Sequence, residues 1–580
     1  MSIGIKNIGI VSAIGNNADE TLRSLKEGRS GIAAMHYLQS EHSDLPVGEV
    51  KLSNDAMKKA LGIPAERIVS RTTLLGAMAL KEVMNGIDLN GKRIALISGT
   101  TVGGMDVTEH VFERLKDDDS MLQYIKRHDC GSQTKEMAEI AGLQDAEICT
   151  ISTACSAALN AIIVGCEMLK ANEVDIAIVG GTEALSRFHL NGFNSLMILD
   201  REPCRPFCNT RQGLNLGEGA AFVVLEAQNE SDVMQSSLTI AGYANRCDAY
   251  HQTASSPEGE GAFLAMSDAL MMAGFNPSDI DYVNAHGTGT PDNDRSESEA
   301  LRRVFGETMP PVSSTKSLTG HTTSASGAIE TVISILAMRE GIIPQNAGWQ
   351  EHDDECIKPL TVPTKKELHT VMCNSFGFGG NDSSLVITRN SKDICCAPIQ
   401  QTACKIIADI ELSDSTGLDE LSEYVSPRET RRMGKLLKAA TLTSLKALKQ
   451  AGIEKPDAII TATTYGMLEN SERFLSDMIE NGEQSLSPTL FMQSTHNTIG
   501  SAIAIRLKCH GYNTTYTQGK DSLEWAMRDA KRLIATGKAD IVLVGVHDEA
   551  TPLFQSLYKR MNLPEPKGLY SRVIILKRDM

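Results

Sequence analysis

The sequence predicts a layered α/β protein in which sheets enclose a central layer of helix. Three observations lead there. Short apolar runs bounded by glycine or polar turns alternate with helical stretches along the whole chain. One helical stretch is apolar nearly all round, so it has no solvent face and must lie between layers. Parts of the pattern occur twice, which marks an internal structural repeat.

The elements follow in order. The opening "MSIGIKNIGIVSAIG" has no basic region followed by a long apolar core, and reads as a first strand, not a signal peptide. "RTTLLGAMALKEVM" (71–84) is helical. "RIALISGT" (93–100), "EICTIS" (147–152), "VDIAIVGG" (174–181), "AAFVVLEA" (220–227) and "SSLVITR" (383–389) read as strands buried on both faces. The all-apolar helix follows Cys155 and carries Leu159, Ile162, Ile163, Val164, Cys166 and Leu169. Alternation breaks at "NSKDICCAPIQQ" (391–402), read as a linker, and then restarts. The adjacent Cys395 and Cys396 read as an incidental pair, since no second pair gives zinc spacing.

The repeat relates the two sides of that break. "RIALISGTTVGGM" (93–105) returns as "PDAIITATTYGML" (456–468). "ACSAALNAIIVGCEMLKANEVDIAIVGGTEA" (154–184) returns as "GKDSLEWAMRDAKRLIATGKADIVLVGVHDE" (519–549), and "AAFVVLEAQ" (220–228) as "SRVIILKRD" (571–579). The second copy has lost a loop before its last strand, and the match covers what corresponds to about 65–228.

Composition narrows the function. A length of 580 residues implies more than one unit. The net charge of −17 argues against a binder of nucleic acid or of an anionic membrane. No run reaches the roughly 18 apolar residues that a membrane helix needs. Thirteen scattered cysteines fit reduced thiols in a cytoplasmic protein.

Cys155 stands at a strand–turn–helix corner. There the helix N-terminus favours a thiolate and an oxyanion, and Ala154, Ser156 and Ala157 leave room for a substrate. "NAHGTGTPDND" (284–294) sets His286 at a glycine turn after a strand. "STKSLTGHTTSASGAIE" (314–330) sets Lys316 and His321 in a small-residue loop running into a helix that carries Glu330. Neither stretch is a phosphate loop or a dinucleotide fingerprint, and no HExxH metal motif occurs.

With "TACSAA", "GGTEA", "RPFCNTRQGLNLGEGAAFVVLE", "NAHGTGTPDND", "TKSLTGHTTSASGAIE" and "NSFGFGGND" in order, residues 1–390 resemble a β-ketoacyl-acyl carrier protein synthase of the thiolase superfamily, of the elongating Cys-His-His type. The resemblance implies a thiolase-like αβαβα fold of two pseudo-repeated halves, 1–229 and 230–390. It implies an acyltransferase that loads an acyl group on Cys155 and condenses it with a malonyl thioester after decarboxylation. His286 and His321 would hydrogen-bond the malonyl thioester oxygen, with Lys316 and Glu330 holding their charge balance. N–H groups at Cys155 and around Phe378 would form an oxyanion hole. Thr288 and Thr290 would bind the pantetheine amides, and Phe378 would act as a gate. No cofactor or metal is implied, because phosphopantetheine arrives on the acyl carrier protein. A homodimer is implied. A second histidine where acyl-CoA-condensing relatives have asparagine, and the absence of a thiolase's second cysteine, favour the decarboxylating class.

Three positions depart from the family pattern. Asn381-Asp382 stands for the usual Thr-Asn, and Cys208 for the usual Asp after "RPF". Residues 403–580 resemble the N-terminal half of another ketoacyl synthase, as in polyene and pigment pathways, with Gly519-Lys520-Asp521 at the nucleophile corner. That third half is expected to be inert in condensation and docked on its own synthase, and its loss to leave the Cys155 chemistry assembled. A weak scaffold, or a decarboxylase partner of another synthase, is the alternative function. Lys58, Lys59, Arg67 and Arg71 are the expected basic patch for an acidic carrier.

Overall fold

The structure, a computed structural model, describes residues 2–228, 238–389 and 403–579. The expected linker and the Cys395-Cys396 pair lie outside the described residues. The first half contributes β1 (Ser2–Ser12), β2 (Ile94–Gly99), β3 (Glu147–Ile151), β4 (Ile176–Glu183) and β5 (Gly219–Gln228). The second contributes β6 (Thr239–Cys247), β7 (Tyr282–Asn284), β8 (Val312–Ser313), a small pair β9 (Ile342–Ile343) and β10 (Thr364–Lys365), β11 (Thr370–Gly377) and β12 (Asn381–Thr388). The third contributes β13 (Cys404–Leu412), β14 (Ala458–Ala462), β15 (Tyr512–Tyr516), β16 (Ile541–Glu549) and β17 (Leu569–Arg578).

All but β9 and β10 join one sheet in the order β13-β17-β16-β14-β15-β3-β2-β4-β5-β1-β6-β12-β11-β7-β8. Its first ten strands are a palindrome of equivalent strands about the β15–β3 junction. There Tyr516 pairs antiparallel with Ile151, and Ser152 N–H and Thr517 N–H donate to Thr515 O and Thr150 O, each at 2.9 Å. Pairing of equivalent edges about a two-fold is the geometry of an isologous dimer interface. Here it joins two parts of one chain. The sheet edge that a second synthase copy would need for such a dimer is therefore already occupied.

The repeat reaches further back than its sequence match. β13 pairs antiparallel with β17 as β1 does with β5, so the third unit holds a counterpart of the first strand as well. That pairing escaped notice because β13 lies at the far edge, is largely exposed, and reads "CKIIADIEL" instead of a buried apolar run.

The helix Ala157–Lys170 is buried along its whole length to Leu169, wedged between the sheet and the helix Ser326–Glu340. Its counterpart, Ser522–Ala535, has no such cover, and the sequence has adapted. Trp525, Ala526, Ala530, Leu533 and Ile534 face inward, while Glu524 and Lys531 are exposed. The apolar face expected to need a partner is thus partly replaced by an amphipathic one. Docking adds charged clamps. Arg528 bridges Glu147 and Glu173 at 2.8 and 2.9 Å, and Lys538 reaches Glu167 at 2.7 Å. Glu483 takes hydrogen bonds from Arg187, Asn191 and Ser40 of the first half. No helix among the described residues is long and apolar enough to cross a membrane.

One expectation about the surface fails. Arg71 is buried, paired with both carboxylate oxygens of Glu218 and donating to Leu52 O, Val50 O and Asn54 Oδ1. It anchors a helix start and is not available to a partner. Arg67 is half-exposed and engaged by Glu136 and Glu139.

Candidate active site

β3 ends in a tight turn, Ala154–Ser156, from which the buried helix starts. Ala154 takes a left-handed φ of 50°, a costly state for a residue with a Cβ. That turn sets Cys155 at the helix N-terminus, 5% exposed. From the second half, β11 and β12 meet in the turn Phe378-Gly379-Gly380, whose two glycines take φ of 86° and 76°. Gly377 lies so close that a Cβ there would stand 2.9 Å from Thr153 O. This approach brings the Phe378 N–H to the Cys155 sulfur. Ser375 Oγ donates to Cys155 O at 2.9 Å.

His321 follows the short helix Lys316–Thr319, and its Nε2 lies 3.1 Å from Cys155 Sγ. Its Nδ1 is 3.0 Å from Ser326 Oγ, a positioning partner the sequence did not single out. His286 stands after β7, its ring 5.4 Å from that of His321 and nearly perpendicular to it. Behind it Lys316 Nζ reaches His286 Nδ1 at 3.2 Å and His286 O at 2.7 Å, and pairs with Glu330. An ammonium has only donors, so His286 Nδ1 must accept and the ring proton sits on Nε2. Ligating atoms of Cys155, His286 and His321 lie within 4.8 Å of one another, so one small reacting centre serves all three.

Burial governs the charges. It drives both histidines well below the usual imidazole range, assisted by the Lys316 charge, so both are neutral. It pushes the Cys155 thiol up to about 11, against the Phe378 N–H and Lys316. Desolvation is the largest influence on the thiol, and the Phe378 N–H and Lys316 oppose it. Glu330 is pushed up to about 7 by burial, its Oε2 without a partner among the described residues.

Two cavities meet at Cys155. One, of about 300 Å³, is lined by His286, His321, Thr288, Thr290, Phe376 and Asp382. Thr288 and Thr290, hydrogen-bonded to each other at 2.8 Å, stand on its wall. The other, of only about 30 Å³, runs from Cys155 and Phe193 to Phe491, Met492, Thr495 and Asn497 of the third unit. Phe378 lines both and stacks on Phe193 at 5.7 Å. Asn497 Nδ2 donates to Phe378 O at 2.9 Å and to Asn381 Oδ1 at 2.8 Å. The third unit thus walls the second cavity and holds the Phe378 turn, while the contacts among Cys155, His286, His321, Lys316 and Glu330 are all made within residues 1–390. Phe491 and Asn497 carried no sequence signal, since only folding brings them within reach of Cys155. Of the departures, Asp382 lines the larger cavity and Asn381 faces the third unit. Cys208 lines neither cavity and contacts Thr210.

Family models agree with this geometry. The model of the β-ketoacyl synthase N-terminal domain matches residues 2–231, that of the C-terminal domain 238–350, and a second N-terminal domain model 418–575. A 3-oxoacyl-[acyl-carrier-protein] synthase 2 of Coxiella burnetii is 31% identical over 409 residues, covering 66% of this chain and 98% of its own. The chain belongs to the β-ketoacyl synthase family. Among solved structures, the Xenorhabdus doucetiae ketosynthase ApeO, in complex with its chain length factor ApeC, is 33% identical with a TM-score of 0.59. It covers 67% of this chain and 98% of its own. The PfaC keto synthase-chain length factor shares the fold over 100% of this chain and 78% of its own, with a TM-score of 0.79 at 16% identity.

Proposed function

We propose that the chain elongates acyl thioesters by decarboxylative condensation with malonyl-acyl carrier protein. The contact between Cys155 Sγ and His321 Nε2, with a neutral His286 beside it, carries the reading. Cys155 attacks the acyl thioester, the bond to the carrier sulfur breaks, and the Cys155 proton ends on that sulfur, which leaves as the carrier thiol. Phe378 and Cys155 N–H groups meet the developing oxyanion. The malonyl carbon–carbon bond then breaks. Carbon dioxide leaves, and the electron pair becomes an enolate whose oxygen accepts from the Nε2–H of His286 and from His321. The enolate carbon attacks the acyl carbonyl, and the Cys155 sulfur departs and is reprotonated. Lys316 and Glu330 fix the His286 tautomer. Thr288 and Thr290 bind the pantetheine amides, so the chain needs no cofactor of its own.

The third unit walls the acyl pocket and sets its depth, the part a chain length factor's name describes. Its corner keeps the backbone of the active one, with Gly519 at φ 61° where Ala154 has 50°, but carries an exposed Lys520 in place of the nucleophile. It takes no part in bond making. The pairing of two unlike halves in one chain serves the place of a dimer, and any homodimer forms through another face. The setting is cytoplasmic, in fatty acid or specialised polyene or pigment synthesis.

The test is to supply acyl and malonyl carriers and analyse the products. Appearance of the 3-oxoacyl carrier supports an elongating synthase. Acetyl carrier alone would make the chain a decarboxylase, and neither product would make it a scaffold.

A further inference from the structure

Asp382 is a buried carboxyl with nothing to hold. Asp382 is 6% exposed and lines the 300 Å³ cavity beside Phe376 and Gly380, and its carboxyl oxygens make no hydrogen bond among the described residues. Its neighbour is different. Asp248 accepts from Ser256 N–H at 2.7 Å, Ser256 Oγ at 2.6 Å and Gly261 N–H at 2.9 Å, so its carboxyl is held by three donors. Both acids pack on Gly261, where a Cβ would stand 2.2 Å from Asp382 Oδ2 and 2.8 Å from Asp248 Cβ.

The groups facing Asp382 are mostly acidic. Asp248 lies to one side and Glu297, which holds the His286 and Gly287 N–H groups, behind. Arg246, opposite in the sheet, is taken by Asp268, and Glu260 by Arg303. His251 and Asp292 stand on the same cavity wall, and His286 is neutral. Among the described residues no lysine or arginine forms an ion pair with Asp382. Burial, with the charges of Asp248 and Glu297 beside it, raises the Asp382 carboxyl well above the usual carboxylate range and favours its protonated form. A protonated carboxyl is a donor as well as an acceptor.

We propose that Asp382 is a substrate-binding residue whose carboxyl proton is donated to a carbonyl oxygen of the thioester arm entering the larger cavity. This rests on the reading that the cavity receives the malonyl thioester of a pantetheine. It adds a polar contact at the position where the chain departs from its family's pattern. It also gives binding a pH limit. Asp382 donates while protonated. Once ionised it can only accept, and it sets a negative charge beside an anionic extender.

The experiment measures binding without turnover. An amide analogue of malonyl-pantetheine is titrated calorimetrically into the full chain, from mildly acidic to mildly alkaline pH, for the natural protein, Asp382→Asn and Asp382→Ala. Asparagine keeps a donor of the same shape and cannot titrate. Ionisation of Asp382, at whichever pH above the usual carboxylate range it occurs, is expected to cost the natural protein about tenfold in affinity, the worth of one hydrogen bond. Asp382→Asn should bind within about threefold of the natural protein at low pH and show no such loss. Asp382→Ala should bind about tenfold more weakly at low pH. A natural alkaline loss that persists in Asp382→Asn, or an Asp382→Ala protein that binds as tightly as the natural one, overturns the proposal. Condensation measured alongside separates the two readings. Binding that follows Asp382 without any 3-oxoacyl product leaves this inference standing and removes the proposed reaction. Product formed with binding indifferent to Asp382 does the reverse.

Discussion

Gly192→Ala tests whether the third unit sets the depth of the acyl pocket. Gly192 lies on the helix Arg187–Ser195, directly under the Phe491 ring of the third unit. A Cβ at 192 would stand 2.1 Å from Phe491 Cδ2, so the ring must retreat by about 1.3 Å to reach ordinary contact at 3.4 Å. Phe188 and Phe474, both fully buried, pack against the ring, and Phe193 meets its edge, so the ring is displaced toward the cavity that it and Phe193 line. The displacement is close to one carbon–carbon bond, roughly 1.5 Å. Each methylene denied burial costs about 0.8 kcal/mol, or about fourfold in preference for the longer acyl group. Overpacking adds about 1–3 kcal/mol to the cost of folding. Intact-mass analysis with a ladder of acyl carriers reads the longest group that loads on Cys155. Gly192→Ala should shorten it, and Phe491→Ala should lengthen it. The double variant should behave like Phe491→Ala alone, because the new methyl then meets no ring. Additive effects would refute the reasoning, since residues acting through one contact must couple.

Other outcomes follow from the same geometry. His321→Ala should slow malonyl decarboxylation by about 100-fold or more and acyl transfer to Cys155 far less, measured as separate half-reactions; equal losses would make His321 structural. Asn497→Ala leaves Phe378 O unpaired, while Asn381 Oδ1 keeps only the 3.5 Å contact from Ser501 Oγ, and should cost about 1–3 kcal/mol in urea unfolding, with slower loading of Cys155. Burial raises the Glu330 carboxyl in the folded protein to about 7, above the ordinary glutamate range, so its contribution to stability is present at low pH and lost as pH rises through about 7. Glu330→Gln should remove that decline from a plot of melting temperature against pH. Lys520→Ala should change condensation by less than about threefold, as expected away from the chemistry.

Much of this architecture was legible because the buried strands and the helix after Cys155 are apolar on every side. Only burial between layers explains such runs. The reacting residues were legible for a related reason. Cys155, His286, Lys316 and His321 each sit at a turn of small residues where backbone must approach closely, and those turns leave recognisable motifs. What stayed hidden depends on contacts between distant parts. β13 has the mixed pattern of an edge strand, so its place as a counterpart of β1 showed only in its pairing with β17. Arg71 looked like a surface cation because charge gives no sign of burial, and Glu218 is 147 residues away. Phe491 and Asn497 look ordinary in their own unit and gain meaning only across the β15–β3 junction. Asp382 was visible as an anomaly, and the empty space it faces was not.

The most direct test of the central claim is peptide mapping of the acylated protein. The full chain is incubated with an acyl carrier, digested and sequenced by mass spectrometry, and malonyl carrier is then added to a second sample. The account predicts one acyl group on Cys155, its release as a 3-oxoacyl carrier when malonyl carrier is supplied, and no adduct in Cys155→Ala. An acyl group found on another residue in that variant, or one on Cys155 that malonyl carrier does not discharge, would contradict it.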